Sequence, residues 1–164
     1  MKILYFHGLD GSLSDEKRVA MSKYGEVLGP KIDYRTTEDV FTSLIDSYKN
    51  ENVDVVIGNS LGGLAAYYIS LVFHTPCLVF NPAFPYAGAI PQIPHSEFGR
   101  DKYLQVVLGK QDDVIKANDN LLFLETNLDK QVNYSVHILN AVGHHISIQN
   151  FERELNFFFL SINV

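Results

Sequence analysis

A serine flanked by glycines is the feature of this sequence with the clearest chemical potential. It is Ser60 in the stretch Gly58-Asn59-Ser60-Leu61-Gly62, which follows a β-branched apolar run and precedes a run with helical spacing. The two glycines allow a sharp turn between a strand and a helix, because any larger side chain there would collide with one of them. Such a turn exposes the serine hydroxyl on a strained backbone, where it can act as a nucleophile. A serine that only capped a helix would leave both glycines unexplained.

Downstream of this serine, two pairs of adjacent residues can complete a nucleophilic site: Asp112-Asp113 and His144-His145. A serine hydroxyl needs a general base at neutral pH, and the base needs a carboxylate that orients it. The resulting chain order of serine, aspartate and histidine is the order that doubly wound hydrolases use. The sequence therefore predicts nucleophilic catalysis by Ser60 with one aspartate and one histidine.

Within each pair, one member is the better candidate. We favour Asp112 as the orienting acid, because Asp113 would then open the following helix, where its charge complements the helix dipole. We favour His144 as the base, because it follows Gly143 directly as the chain leaves its last predicted strand. His145 would then pack against the protein or face solvent. The spacing by itself leaves both choices open.

Two backbone N–H groups are also needed for the oxyanion of a tetrahedral intermediate. Leu61 follows the nucleophile at the start of a helix, and Leu9 follows His7-Gly8 in the loop after the first strand. His7 itself is expected to brace that loop. The loop lacks the glycine and lysine spacing of dinucleotide and phosphate loops, so nucleotide binding is not predicted. The histidines treated as ordinary hydrogen-bonded residues are His74, His95 and His137.

Short apolar runs alternate with helical patterns along the chain, which is typical of βαβ units in a parallel sheet. The predicted strands cover residues 3–6, 32–34, 53–57, 77–80, 104–109 and 134–139. The predicted helices cover residues 15–29, 36–50, 61–72, 114–126 and 148–161. We therefore expect one domain over residues 1–164. Its fold would be a three-layer α/β fold with a doubly wound, mainly parallel sheet of about six strands and helices on both faces.

The candidate residues all follow predicted strands at their carboxyl ends, where ligands bind in such sheets. His7 follows the first strand, Ser60 the third and Asn81 the fourth. The two aspartates follow the fifth strand, and the two histidines follow the sixth. This alignment is the main reason to interpret them as one site.

One segment, residues 81–103, interrupts the alternation of strands and helices. It holds four of the six prolines, which predicts a long irregular loop. Its apolar side chains would suit a wall over a pocket. They are Phe84, Tyr86, Ile90 and Ile93.

The bulk composition limits the classes of partner. The formal net charge of −6 argues against nucleic acid and anionic membranes, and it favours a neutral or apolar small molecule. The single cysteine, Cys77, lies in an apolar run and is predicted to be a buried thiol in a reducing compartment. No secretory segment or membrane span is recognisable, so a cytoplasmic location is expected. No cluster has the spacing of metal ligands, so neither a metal nor a cofactor is predicted.

Five stretches of the sequence resemble motifs of the α/β-hydrolase superfamily, and within it of the small bacterial YqiA/YcfP-type esterases. "YFHGLDGS" is similar to the opening His-Gly loop, "IGNSLGG" to the nucleophile elbow and "NPA" to the turn after the next strand. "GKQDDVI" is similar to the acid loop, and "GHHI" ahead of "FE" to the histidine loop. The likeness extends over nearly the whole chain.

The resemblance implies a reduced hydrolase fold without a cap domain and without the first antiparallel strands. It implies a triad of Ser60, Asp112 and His144, with Leu9 and Leu61 as the oxyanion hole, and activity on short acyl esters. Doubling of the aspartate and the histidine leaves the members of the triad open.

The predicted function is hydrolysis of short-chain carboxylic esters or thioesters through an acyl-enzyme on Ser60. The alternative is a catalytically silent protein of the same fold that binds a small molecule or a protein partner. The sequence determines neither the physiological substrate nor whether the chain forms a homo-oligomer.

Overall fold

The strands form a parallel sheet that positions every candidate residue. The computed structural model describes residues 1–89, 99–129 and 131–162. Within these residues the sheet has six strands in the order β2-β1-β3-β4-β5-β6, and all neighbours run parallel. The strands are β1 (Lys2–Phe6), β2 (Glu26–Leu28), β3 (Val55–Asn59), β4 (Cys77–Phe80), β5 (Leu104–Gly109) and β6 (Tyr134–Leu139).

Helices cover both faces of this sheet. They are α1 (Asp15–Ser22), α2 (Val40–Tyr48), α3 (Leu61–Phe73), α4 (Ala117–Asn127) and α5 (Ile148–Ile162). Helices α1 and α5 pack together on one face, and α2 and α3 pack together on the other. Alternate residues of β1 enter opposite cores, because successive side chains of a strand point to opposite faces. Ile3 and Tyr5 join the α1/α5 core, whereas Leu4 and Phe6 join the other. The predicted three-layer α/β fold is confirmed.

The order of the strands contains a switch point between β1 and β3. From β1 the chain first moves to one side, to β2, and then crosses to the other side, to β3 and onward. The connections that leave the carboxyl ends of β1 and β3 therefore separate, and ligands bind in the crevice at such a point.

The first predicted helix is too long, and the strand predicted after it is misplaced. Helix α1 ends at Ser22, and Glu26–Leu28, predicted as helical, pairs with β1 as strand β2. Residues 32–34, predicted as a strand, form a loop instead. Val27 and Leu28 fit both a helical period and a short strand, and pairing with β1 decides between the two.

Helices α2 and α4 begin later than predicted. Asp39 caps α2 in place of Thr36, because its carboxylate accepts a hydrogen bond from the Thr42 amide at 3.3 Å. Helix α4 begins at Ala117. Asp113 therefore lies in the loop before α4 and not at the N-terminus of the helix, so the reason for preferring Asp112 over it was wrong.

The proline-rich loop is partly regular, because Phe84–Ala89 form a short 3-10 helix. Phe84 is fully buried and stacks against Phe123, with Tyr67 at its edge. Phe84 thus belongs to the core and not to a wall over a pocket, while Tyr86 is exposed. Outside the described residues lie Ile90, Ile93 and His95.

Apolar strand residues such as Cys77 lie in the core of the fold. Cys77 in β4 is fully buried, as predicted, and burial raises the pKa of its thiol. In the described part of the chain, none of the helices combines the length and the apolar character that crossing a membrane requires.

Candidate active site

The turn between β3 and α3 holds Ser60 in a strained conformation. Strand β3 runs on to Asn59, further than predicted, and Ser60 follows with φ 55° and ψ −124°. L-residues rarely adopt positive φ, and such strain is concentrated at functional sites. The Ser60 amide donates to the carbonyl of Phe80, and its carbonyl accepts from the Ala83 amide, both at 2.9 Å. The serine side chain makes no capping hydrogen bond to α3, so capping does not explain it.

The two glycines of the turn are required by close packing of backbone against backbone. A Cβ atom on Gly58 would collide with the carbonyl of Gly62. A Cβ atom on Gly62 would collide with the carbonyl oxygens of Phe6 and His7 at the end of β1. The turn therefore lies directly against the neighbouring strand, in the crevice at the switch point.

Asp112 and His144 form a hydrogen-bonded pair at the ends of β5 and β6. The Asp112 Oδ2 atom lies 2.8 Å from Nδ1 of His144, and the aspartate side chain is completely buried. The other oxygen, Oδ1, accepts hydrogen bonds from the amides of Val114 and Ile115 at 2.9 and 2.8 Å. A carboxylate only accepts, so Nδ1 carries the proton and Nε2 keeps its lone pair. That nitrogen is suited to take a proton from a hydroxyl group.

The second members of the two doubled pairs are both exposed. Asp113 lies together with Asp112 at a depression on the protein surface that neither Ser60 nor His144 lines. His145 is exposed as well, with its ring centroid 6.0 Å from that of His144. Of the four residues, the structure thus pairs Asp112 with His144.

The side chain of Asn81, which follows β4, fixes the positions of both loops. It is buried and accepts the Gly109 amide at 2.7 Å through Oδ1. Through Nδ2 it donates to the carbonyls of Gly143 and His144 at 3.0 and 2.9 Å. One amide group therefore connects the loop that carries Asp112 with the loop that carries His144. The sequence placed Asn81 at a strand end and in the "NPA" turn, but it indicated no partner for it.

His7 braces the loop after β1, as predicted, and it is not free to react. The Ile32 amide donates to Nε2 of His7 at 2.8 Å, and Nδ1 lies 2.7 Å from the Gly8 carbonyl. Tyr34 donates its hydroxyl to the His7 carbonyl at 2.8 Å. Both ring nitrogens are occupied, so His7 cannot act as a general base.

The two residues predicted to supply amides for an oxyanion follow the two strands that flank this crevice. Leu61 opens α3, and an α-helix leaves its first amides without an intrahelical partner. Leu9 lies in the loop after β1. That loop is close to the serine, since a Cβ atom on Gly8 would stand 3.1 Å from Cβ of Ser60.

A cleft of about 440 Å³ lies at the carboxyl ends of the strands, and Leu61, Asn81 and Asp112 are not among the residues that line it. Ser60 and His144 both line it, together with Gly8, Leu9, Lys17 and His145. The presence of Lys17 was not predicted, because nothing in its helical segment marks it. Only the packing of α1 against α5 and β2 brings this lysine to the cleft.

Residues 2–93, more than half of the chain, match the model of a family described as "Uncharacterised protein family (UPF0227)". The chain belongs to UPF0227. The matched part contains Ser60, Leu9 and Asn81, whereas Asp112 and His144 lie beyond it. The family assignment agrees with the resemblance to YqiA/YcfP-type proteins in the sequence. No curated protein matches the chain.

Solved structures share the fold of this UPF0227 chain at low sequence identity. Est1E from Butyrivibrio proteoclasticus with ferulic acid bound has a TM-score of 0.74 at 15% identity, covering 99% of this chain and 89% of its own. The α/β-hydrolase enzyme MGS-MChE2, from a sediment metagenome of the Mar Chica lagoon in Morocco, has a TM-score of 0.71 at 18% identity. The match covers 100% of this chain and 92% of MGS-MChE2. SOBER1 from Arabidopsis thaliana has a TM-score of 0.68 at 16% identity, and the match covers 97% of this chain and 99% of SOBER1. The chain therefore has the α/β-hydrolase fold.

Proposed function

We propose that this protein is a serine esterase that cleaves short-chain carboxylic esters or thioesters through an acyl-enzyme on Ser60. The observation that carries the proposal is the Asp112–His144 pair, whose histidine lines the same cleft as a strained serine. A nucleophile, a base and an orienting acid are the parts that acyl transfer needs.

In the proposed reaction, His144 Nε2 takes the hydroxyl proton of Ser60 while the serine oxygen attacks the ester carbonyl. Asp112 keeps the proton on Nδ1 and stabilises the imidazolium that forms. The Leu9 and Leu61 amides donate hydrogen bonds to the oxyanion. Collapse of the intermediate expels the alcohol or thiol, which takes the proton from His144, and the acyl-enzyme remains.

Water completes the cycle by the same route. His144 removes a proton from a water molecule that attacks the acyl-enzyme carbonyl, and the second tetrahedral intermediate expels Ser60. The serine oxygen recovers its proton from His144, and the carboxylic acid leaves. Every step moves protons and acyl groups only.

The choice of an ester as substrate draws support from the neighbours of the fold. Several carry hydrolase descriptions, among them a crystal structure named as esterase PE8, with a TM-score of 0.66 at 15% identity. A short acyl group fits a cleft of about 440 Å³, which lies within the range of small-molecule sites.

The direct test is hydrolysis of 4-nitrophenyl acetate and butyrate by the wild type and by Ser60→Ala. We expect the variant to lose about 10³-fold or more of kcat/KM, because removal of a triad nucleophile leaves only binding and oxyanion stabilisation. Equal rates in both proteins would disprove the nucleophilic role. Covalent labelling by a fluorophosphonate distinguishes the silent-fold alternative, because a ligand-binding cleft without an activated serine would remain unlabelled.

A further inference from the structure

Lys17 places a positive charge inside the cleft that contains Ser60. It belongs to α1, is half-buried, and lines the cleft together with Tyr5 and Asn59. Its Nζ atom lies 5.2 Å from the ring centroid of Phe151 and 5.9 Å from that of Tyr5. The charged end of the side chain is therefore among aromatic rings and not in bulk solvent.

Among the described residues, the ammonium group of Lys17 makes one long hydrogen bond beside its two ring contacts. Nζ donates to the Tyr5 hydroxyl at 3.4 Å, and that hydroxyl donates in turn to Oδ1 of Asn59 at 2.6 Å. None of the ion pairs among the described residues includes Lys17. An ammonium has three donors, so the remaining ones are available to a ligand.

The surroundings make this charge costly unless something neutralises it. Burial lowers the pKa of Lys17, and no neighbouring carboxylate counteracts that effect. Among the residues that the structure describes, those that line the cleft include no aspartate or glutamate. Lys17 thus gives the cleft beside Ser60 a basic side chain, although the formal net charge of the chain is −6.

We propose that Lys17 binds a carboxylate of the substrate, so that the preferred ester of this protein carries a negative charge at neutral pH. The inference rests on the proposed esterase function and narrows its substrate class. A carboxylate in the cleft would accept a charge-assisted hydrogen bond from Nζ in a partly desolvated environment. The negatively charged surface outside the cleft would slow the approach of such a substrate without changing which ester is preferred.

The test compares charged esters with neutral esters of the same shape. Mono-4-nitrophenyl glutarate and 4-nitrophenyl 5-methylhexanoate differ in a carboxylate on the acyl side, and 4-acetoxybenzoate and 4-acetoxybenzamide differ on the alcohol side. The wild type should prefer the anion in at least one pair by about tenfold to a hundredfold in kcat/KM. Lys17→Met should remove that preference, because kcat/KM should fall much more for the charged ester than for its neutral partner. Lys17→Arg should retain part of it.

Lys31→Met is the matched control, because it removes the same charge from an exposed side chain outside the cleft. It should leave the preference unchanged. Equal preference in the wild type and in Lys17→Met would overturn the inference. A uniform loss on both esters in Lys17→Met would also overturn it, since it would assign Lys17 a structural role through Tyr5 and Asn59.

A binding measurement separates this inference from the esterase proposal. In the Ser60→Ala background, mono-4-nitrophenyl glutarate or 4-acetoxybenzoate should raise Tm more than its neutral partner does. Adding Lys17→Met should abolish that difference. If the wild type hydrolyses none of the esters, the esterase proposal fails, and the binding result still decides whether Lys17 recognises a carboxylate.

Discussion

Two histidine–carboxylate pairs of the same chemistry occupy different regions of this molecule. In one, Nδ1 of His144 lies 2.8 Å from Oδ2 of Asp112, and in the other Nδ1 of His137 lies 2.5 Å from Oε2 of Glu154. Both carboxylates are buried, and both rings are partly exposed. Neither the residue types nor the distances distinguish a catalytic pair from a structural one.

What differs is the place of each pair in the sheet. His137 lies within the edge strand β6, and the Glu154 carboxylate is shared with the Gln105 amide at 3.2 Å and the Arg153 guanidinium at 3.0 Å. His144 lies beyond the end of β6 and lines the cleft with Ser60. A pair between the middle of a strand and a covering helix ties those two elements together, whereas a pair at the carboxyl ends of strands lies where ligands bind.

The largest expected difference between the two pairs is in kcat/KM when the carboxylate of each is replaced by an isosteric amide. Asp112→Asn should lower kcat/KM on 4-nitrophenyl butyrate by about 10³ to 10⁴-fold, because the amide no longer holds His144 in the required tautomer. Glu154→Gln, the matched change in the other pair, should keep kcat/KM within about twofold. Comparable losses of activity in both variants would remove the distinction between the pairs.

A smaller effect is expected from a change at Asn81, which holds the loops of the Asp112–His144 pair in place. Asn81→Asp keeps the shape of the side chain and tolerates the observed φ of 40°, but it loses the two donors to the Gly143 and His144 carbonyls. The histidine loop should shift, with kcat/KM lower by about 10 to 100-fold. The decrease should be mostly in kcat, as measured by steady-state kinetics, because the groups that bind substrate remain. An unchanged kcat would show that the loops hold their positions without Asn81.

The smallest effect concerns stability and not catalysis. Glu154→Gln should lower the free energy of unfolding by about 1–3 kcal/mol, since charged hydrogen bonds to Arg153, His137 and Gln105 weaken inside the protein. Urea unfolding of the two amide variants measures this difference. A larger stability loss in Asp112→Asn than in Glu154→Gln would contradict the view that the second pair is the more structural of the two.

The features that could be predicted are those that depend on residues adjacent in the sequence. The turn at Ser60 could be recognised because glycines on both sides have no other local explanation, and the family resemblance gave it the same role. The strands 77–80, 104–109 and 134–139 agree with the structure, because runs of apolar residues of that length have few alternatives. By contrast, Val27 and Leu28 were assigned to a helix, because their pairing partner in β1 lies far away in sequence.

The sequence by itself determined which chemical groups this protein has and the order in which strand ends would present them. Only the tertiary structure decided that Asp112 and not Asp113 pairs with His144, that Asn81 joins their loops, and that Lys17 reaches the cleft. The physical reason is that each of these relations is a contact between separate crossover units. Such contacts depend on the order of the strands in the sheet and on how the helices pack against it. Neither can be inferred from the spacing of residues within one segment.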